Sequence, residues 1–355
     1  MQGSELPPKQ IGPAAWLGPN MEADPAQWLT RLTADEIHEL EAAAEPLVKT
    51  NANIGAMKAH DFKLPTLAKK FSALRQELIN GRGFALLRGL PTASYTEREA
   101  ITIFYGIGAH LGNARSQNAN GHILGHVRNM GLDSTDPKVR VYQTSERQTF
   151  HTDSCDVVGL LCLNPAKSGG MSLLVSAETV YNELLEQRPD LLPLLMGPIA
   201  TDRRGEVPEG QLPYLLIPVL SWHKNRITPF YQRQYIDSAQ RFEDAPRLTP
   251  AHVEALDLFD DLTNDAGLHM KMMLERGDMQ FVYNHSMLHD RTGFEDFESL
   301  DKRRHLLRLW LSIPGDRELP EIFKSRYGSI EIGNRGGIVV PGTEFCVPWT
   351  KDLFG

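Results

Sequence analysis

Three short stretches carry the residue types that could do chemistry: His151-Thr152-Asp153, then Asn284-His285-Ser286-Met287-Leu288-His289-Asp290-Arg291-Thr292, then Arg303-Arg304-His305-Leu306-Leu307-Arg308. Two imidazoles and one carboxylate can hold iron(II) on one face and leave the opposite positions for a co-substrate and oxygen. In a strand, residues two apart point the same way, so His151 and Asp153 can face one interior while Thr152 faces away. The third ligand is a distant histidine, His285 or His289. If the segment that holds them is one regular strand they share a face, and spacing alone does not choose. Arginines shortly after the last histidine can anchor a dicarboxylate, because guanidinium is a planar two-pronged donor that matches carboxylate. This combination points to an oxygenase that uses iron(II), 2-oxoglutarate and O2.

These residues need a frame that brings distant segments together. Helical spacing occurs at residues 34–44, behind the capping-box start Thr33-Ala34-Asp35-Glu36, and at residues 64–80, where Gly81-Arg82-Gly83 stops it. Residues 96–111, 177–188 and 249–265 are also predicted helices, ended by Gly112 and Pro189 in the first two cases, with Pro250 in the first turn of the third. Residues 84–87, 156–163, 171–176, 278–288 and 305–312 read as buried strands punctuated by Asn164-Pro165 and Gly169-Gly170. The expected fold class is α+β and β-rich, a double-stranded β-helix (jelly roll) flanked by helices, whose interior can host a metal. Residues 1–64 read as an N-terminal extension packed on the core and residues 65–355 as the jelly-roll domain. The glycine-bearing tail, residues 330–349, is expected to pack on its own core.

Composition narrows the function classes. The chain has 355 residues, 41% of them hydrophobic, and a formal net charge of -8 with acids and bases interspersed. No basic face is available for a phosphate backbone, so nucleic acid is not an expected partner. Three cysteines, Cys155, Cys162 and Cys346, are too few for a disulfide framework and suit a reducing compartment. The start Met1-Gln2-Gly3-Ser4-Glu5 lacks a basic region followed by an apolar run, and no apolar segment approaches ~18 residues. The expectation is a cytoplasmic protein with no membrane partner; a homo-oligomer is compatible with the sequence but not specified by it.

The ordered motifs resemble the taurine catabolism dioxygenase family, within the clavaminate-synthase-like group of jelly-roll oxygenases. The likeness runs over about residues 83–311 and rests on Phe150-His151-Thr152-Asp153, Ser168-Gly169-Gly170-Met171-Ser172, Leu288-His289-Asp290-Arg291-Thr292 and the closing arginine run. The resemblance implies His151, Asp153 and His289 as catalytic metal ligands, with His285 a neighbour. It implies that Ser172, where the family usually carries threonine, and Arg304 bind the far carboxylate of 2-oxoglutarate. Arg308, which alternation places on the same face as Arg304, is in the position that grips the anionic end of the substrate in sulfonate-oxidising relatives.

Polar groups beside the predicted cavity, Gln117, Asn118, Gln143, Thr144 and Gln148, are the candidate substrate contacts, with Trp222 and Tyr231 as weaker ones. The expected reaction is hydrogen-atom abstraction from a small anionic or amino-acid-like substrate, ending in hydroxylation, desaturation or cyclisation and releasing succinate and carbon dioxide. Halogenation is disfavoured, because halogenating relatives lack the carboxylate that Asp153 supplies. Two other classes fit parts of the pattern: a zinc hydrolase using the same donor set to activate water, and a non-catalytic jelly-roll binding protein.

Overall fold

Nearly continuous apolar runs in Phe84–Arg88, Val157–Asn164, Met279–Tyr283 and His305–Ser312 build the centre of a seven-stranded sheet buried on both faces. One set of its side chains, including Leu87, Leu161, Phe281, Leu307 and Leu309, packs against helices Ala34–Lys49, Leu67–Asn80 and Glu97–Leu111. The other set, including Leu86, Val158, Val282, Leu306 and Trp310, turns toward a second sheet. Burying one such leucine removes it from water at a gain of about 2 kcal/mol, and both faces of these strands gain in this way. These observations describe residues 6–132, 139–207, 210–340 and 342–353 of a computed structural model. Residues 1–5, on which the absence of a leader was read, lie outside them.

The second sheet has four antiparallel strands in the order Met270–Met272, Ser172–Ser176, Met287–Arg291, Gln148–His151. Leu174 and Met287 point into the space between the sheets, while Leu173, Val175 and Leu288 point outward against helices Ala177–Gln187 and Pro250–Asn264. The result is helix, sheet, sheet, helix: a jelly-roll core with helical covers, as the sequence predicts. The predicted capping box closes at Thr33 and Glu36 and recurs at Thr96/Glu99 and Thr249/His252, each cap contributing ~1 kcal/mol. The segment before residue 64 joins the large sheet through Leu29–Arg31, which runs parallel to Phe84–Arg88, and buries Trp16 and Trp28 against Phe84.

One strand differs from expectation. Residues 278–288 read as a single apolar segment, but the chain forms Met279–Tyr283 in the large sheet, turns at residues 284–286, and enters the small sheet as Met287–Arg291. The turn has a polar cause. The Asn284 side-chain carbonyl accepts from the Asp153 backbone N–H, and His285 is drawn to the Asp156 carboxylate. His285 and His289 therefore do not share a strand. Among the described residues no helix is long and apolar enough to cross a membrane.

Candidate metal centre and its cavity

His151 ends one strand of the small sheet, and His289 lies opposite it in the neighbouring strand, so the register that builds the sheet also sets the two rings 4.2 Å apart between centroids. Asp153 follows just beyond the strand end, held by Asn284. Its carboxylate lies 4.0 Å from His151 Nε2 and 3.8 Å from His289 Nε2, and one donor atom from each of the three residues falls within 4.8 Å of the others. Thr152 turns the other way, as alternation predicts, but it is buried: its backbone and hydroxyl pair with Tyr231.

The donor set fits a metal. His151 Nδ1 lies 2.8 Å from the Thr149 carbonyl, which fixes the proton there and leaves Nε2 as the lone-pair donor. Burial, reinforced by its neighbour His151, pushes the His289 pKa down to about 3, so this ring is neutral and ready to ligate. Burial alone would raise the Asp153 carboxyl, but the Arg308 guanidinium, the largest of the opposing influences, and the Trp310 indole N–H, 2.9 Å away, help hold it below its ordinary value. An anionic carboxylate beside two neutral imidazoles is the state that iron(II) requires.

A second buried cluster, Asp156, His285 and Asp316, has the same residue types. It is already filled by a cation. Arg335, fully buried, donates Nε to Asp156 and Nη2 to Asp316 at 2.7 Å each, and His285 Nε2 sits 2.7 Å from Asp156. His285 is thus part of a salt-bridged network and not of the open donor set, to which it is joined through the adjacent Asn284 and its bond to Asp153.

Two members of the open donor set, His151 and Asp153, line a cavity of about 480 Å³. Gln117, Asn118, Gln143, Gln148 and Arg308 line it; Thr144 does not, and instead its hydroxyl and carbonyl serve the local turn and Arg291. Gln117 and Arg308 are locked together: Arg308 Nε donates to Gln117 Oε1 at 2.7 Å, and Gln117 Nε2 donates to the Arg308 carbonyl at 2.8 Å. The Arg308 guanidinium, stacked near Tyr142 and Trp310, stands 3.8 Å from Asp153. Gln148 Nε2 lies 2.8 Å from His151 Nε2. Asn118 spends its amide on the turn to His122. Tyr231 is core, bonded to Asp260 and packed on Phe259, and Trp222 lines a different cavity.

Several wall residues carry no motif that sequence reading could have found. Arg140, Arg204, Glu206 and Tyr235 come from loops and from the insertion after Asp202, and Arg326 comes from the C-terminal region. Their only sequence signal is residue type, which many surface loops share.

Arg308 lines the cavity, and Arg304, which stands just before the strand, is not among its lining residues. The ladder of His305–Ser312 slips by one residue between His305 and Leu306. Arg308 faces the cavity, whereas Arg304 is buried beside Phe294 and Gly170, where a Cβ on the glycine would stand 3.1 Å from Arg304 Nε. Burial pulls the Arg304 pKa down to about 10, and its Nη1 has no hydrogen-bond partner among the described residues. A buried guanidinium with an orphan donor is fitted to receive a carboxylate. Ser172 lies in the small sheet with its hydroxyl bonded to Gln280 at 3.1 Å. The buried thiols take no part: burial pushes Cys162 up to about 12 and Cys155 well above its ordinary value.

Comparison with known proteins agrees with this geometry. A family model, taurine catabolism dioxygenase TauD, TfdA family, matches residues 43–310. The chain is 32% identical over 315 residues to FR-33289 synthase from Streptomyces rubellomurinus, covering 87% of this chain and 92% of that protein. It resembles the solved structure of asparagine oxygenase in complex with Fe(II), 2S,3S-3-hydroxyasparagine and succinate at a TM-score of 0.60 and 17% identity. It also resembles the non-heme iron oxygenase OrfP in complex with Fe and alpha-ketoglutaric acid, at 0.58 and 14%. Each likeness covers 80% of this chain and 93% of the other, which establishes a shared fold. With a family model spanning three quarters of its length, the chain belongs to the TauD, TfdA family of iron(II)- and 2-oxoglutarate-dependent dioxygenases.

Proposed function

We propose that the protein oxidises a small anionic or amino-acid-like molecule by hydrogen-atom abstraction, with hydroxylation as the ordinary outcome and with His151, Asp153 and His289 as the iron ligands. The observation that carries this reading is the His–Asp–His set, two of whose members, His151 and Asp153, line a cavity in which the cation beside Asp153, Arg308, is held in place by Gln117. When bound, iron(II) with 2-oxoglutarate and oxygen supplies the oxidative decarboxylation to succinate and carbon dioxide and the means to remove a substrate hydrogen.

The chain's own residues supply position and charge. Arg304, with Ser172 in the same interior, would hold the co-substrate carboxylate farthest from the metal. Trp310 and Asn284 fix the Asp153 carboxylate and backbone, so the ligand is oriented before metal arrives. Arg308 would take the anionic group of the substrate, because Gln117 holds its Nε and the fork, whose Nη1 stands 3.8 Å from Asp153, faces the cavity. Two solved relatives in fold act on amino acids: their complexes hold 3-hydroxyasparagine and (3S)-hydroxy-L-Arg. Desaturation and cyclisation begin with the same abstraction and share this site.

The test is a screen of small acids and amino acids for substrate-stimulated succinate release with iron(II) and 2-oxoglutarate. A productive substrate is expected to lose its grip in Arg308→Ala, with KM for substrate rising at least about tenfold and KM for 2-oxoglutarate little changed. Succinate formation that ignores iron, or an Arg308→Ala effect confined to 2-oxoglutarate, would overturn the assignment.

A further inference from the structure

Arg304 is not alone in its pocket. Arg291 is also buried, and the two guanidinium carbons lie 4.7 Å (Arg291) and 5.1 Å (Arg304) from the centroid of the same ring, Phe294. Both carry a buried N–H without a partner, Nε on Arg291 and Nη1 on Arg304. Of the neighbouring acids, Asp290 pairs with Arg147, and Asp296 accepts from the backbone N–H of Arg304 through Oδ1; its Oδ2 is buried without a hydrogen-bond partner, so Asp296 adds charge nearby but does not fill the open N–H of either guanidinium. Two buried guanidinium groups beside one ring, each with an N–H short of a hydrogen-bond partner, are suited to share the oxygens of one further carboxylate.

The register says which anion. Arg291 stands two residues beyond His289 in the strand Met287–Arg291, so both point into the space between the sheets. Directly across the ladder from Arg291 is Ser172. Two residues of strand advance about 6.8 Å, and the four C–C bonds of a five-carbon diacid, about 1.5 Å each, reach over a similar span. We propose that Arg291 is a second cationic arm of the co-substrate site, which with Arg304 and Ser172 grips the carboxylate of 2-oxoglutarate farthest from the metal. The fork of Arg291 is already fixed by the carbonyls of Thr144, at 3.1 Å, and Glu146, so its Nε is presented without reorganisation. The same two bonds tie down the loop that leads to His151.

This inference rests on the reading of 2-oxoglutarate as co-substrate, and a pair of ligands separates the two. Calorimetric binding to the anaerobic iron(II) protein is measured for 2-oxoglutarate and for 2-oxobutanoate, which keeps the chelating end and lacks the far carboxylate. Arg291→Gln is expected to weaken 2-oxoglutarate at least about tenfold, the loss of one charge-assisted hydrogen bond, and to leave 2-oxobutanoate within about twofold. A purely loop-anchoring arginine would weaken both ligands alike, and that result, or no change in either, overturns the proposal. Should Arg291→Gln fail to fold, Arg291→Lys keeps the charge without the fork. Its preference for 2-oxoglutarate over 2-oxobutanoate is then expected to fall by about two- to fivefold, and an unchanged preference overturns the proposal. Failure of the wild-type protein to bind 2-oxoglutarate at all would instead sink the co-substrate reading, whatever Arg291 does.

Discussion

At the scale of single residues, the two candidate histidines make opposed predictions. His289 faces an open donor set with its ring held neutral, so His289→Ala is expected to abolish iron binding and substrate-stimulated succinate release while the fold persists. His285 is buried between Asp156 and Asp316, so His285→Ala should keep one iron site per folded chain but lose about 3 kcal/mol of stability, as for a broken buried pair. Iron titration and urea unfolding on both variants check this; loss of iron by His285→Ala alone would reverse the assignment. The His-X-Asp pair was legible in sequence because strand alternation needs no long-range knowledge. The choice between His285 and His289 was not legible from spacing, since it depends on a turn at residues 284–286 caused by Asn284 and Asp156, residues whose partners are over a hundred positions away.

The elements show the same division. Strands such as His305–Ser312 and helices such as Glu97–Leu111 announce themselves through period and caps, and both formed close to where pattern placed them. The slip between His305 and Leu306, where the partner strand carries one extra residue, has no local signature, because a bulge answers to strand pairing. The C-terminal tail is a further case: its glycines predict turns but not what the turns reach. Gly336 has φ +73°, and a Cβ there would meet the Ser154 carbonyl at 2.7 Å. Gly337 N–H donates to that same carbonyl, and Ile338 N–H donates to Ser116, so the tail straps the segment just after Asp153. Arg335 is its anchor. Arg335→Met leaves the buried Asp156 and Asp316 without their cation and is expected to cost about 3–5 kcal/mol in urea unfolding, with part of the loss recovered by adding Asp316→Asn. A cost below about 1 kcal/mol would show that the tail is not held by this network.

For the whole molecule, the jelly-roll frame concentrates imidazoles where water is scarce, and this sets how stability responds to acid. Burial holds His126, His151, His285, His289 and His305 below the ordinary histidine value, with His289 and His305 each at about 3. An unfolded chain protonates these rings near pH 6.5, so between about pH 6.5 and 3 the unfolded state binds more protons and stability falls as pH falls. Each such proton steepens the loss by roughly 1.4 kcal/mol per pH unit. The Asp156 carboxyl, held low by His285 and Arg335 against the upward push of burial, adds stability that is present above about pH 4 and is lost only below it. The histidines therefore act first. Urea unfolding of chelator-treated protein, where no metal competes for His151 or His289, is expected to weaken steadily from pH 6.5 to 4.5, well before the carboxylates titrate. His305→Asn removes one ring that burial, reinforced by the neighbouring His126 at 2.8 Å, holds low, so its stability should fall with a shallower slope, by up to one proton's worth. A wild-type stability that stays level from pH 7 to 4.5, or a variant slope identical to the wild type, would mean that these rings are not held neutral by the fold.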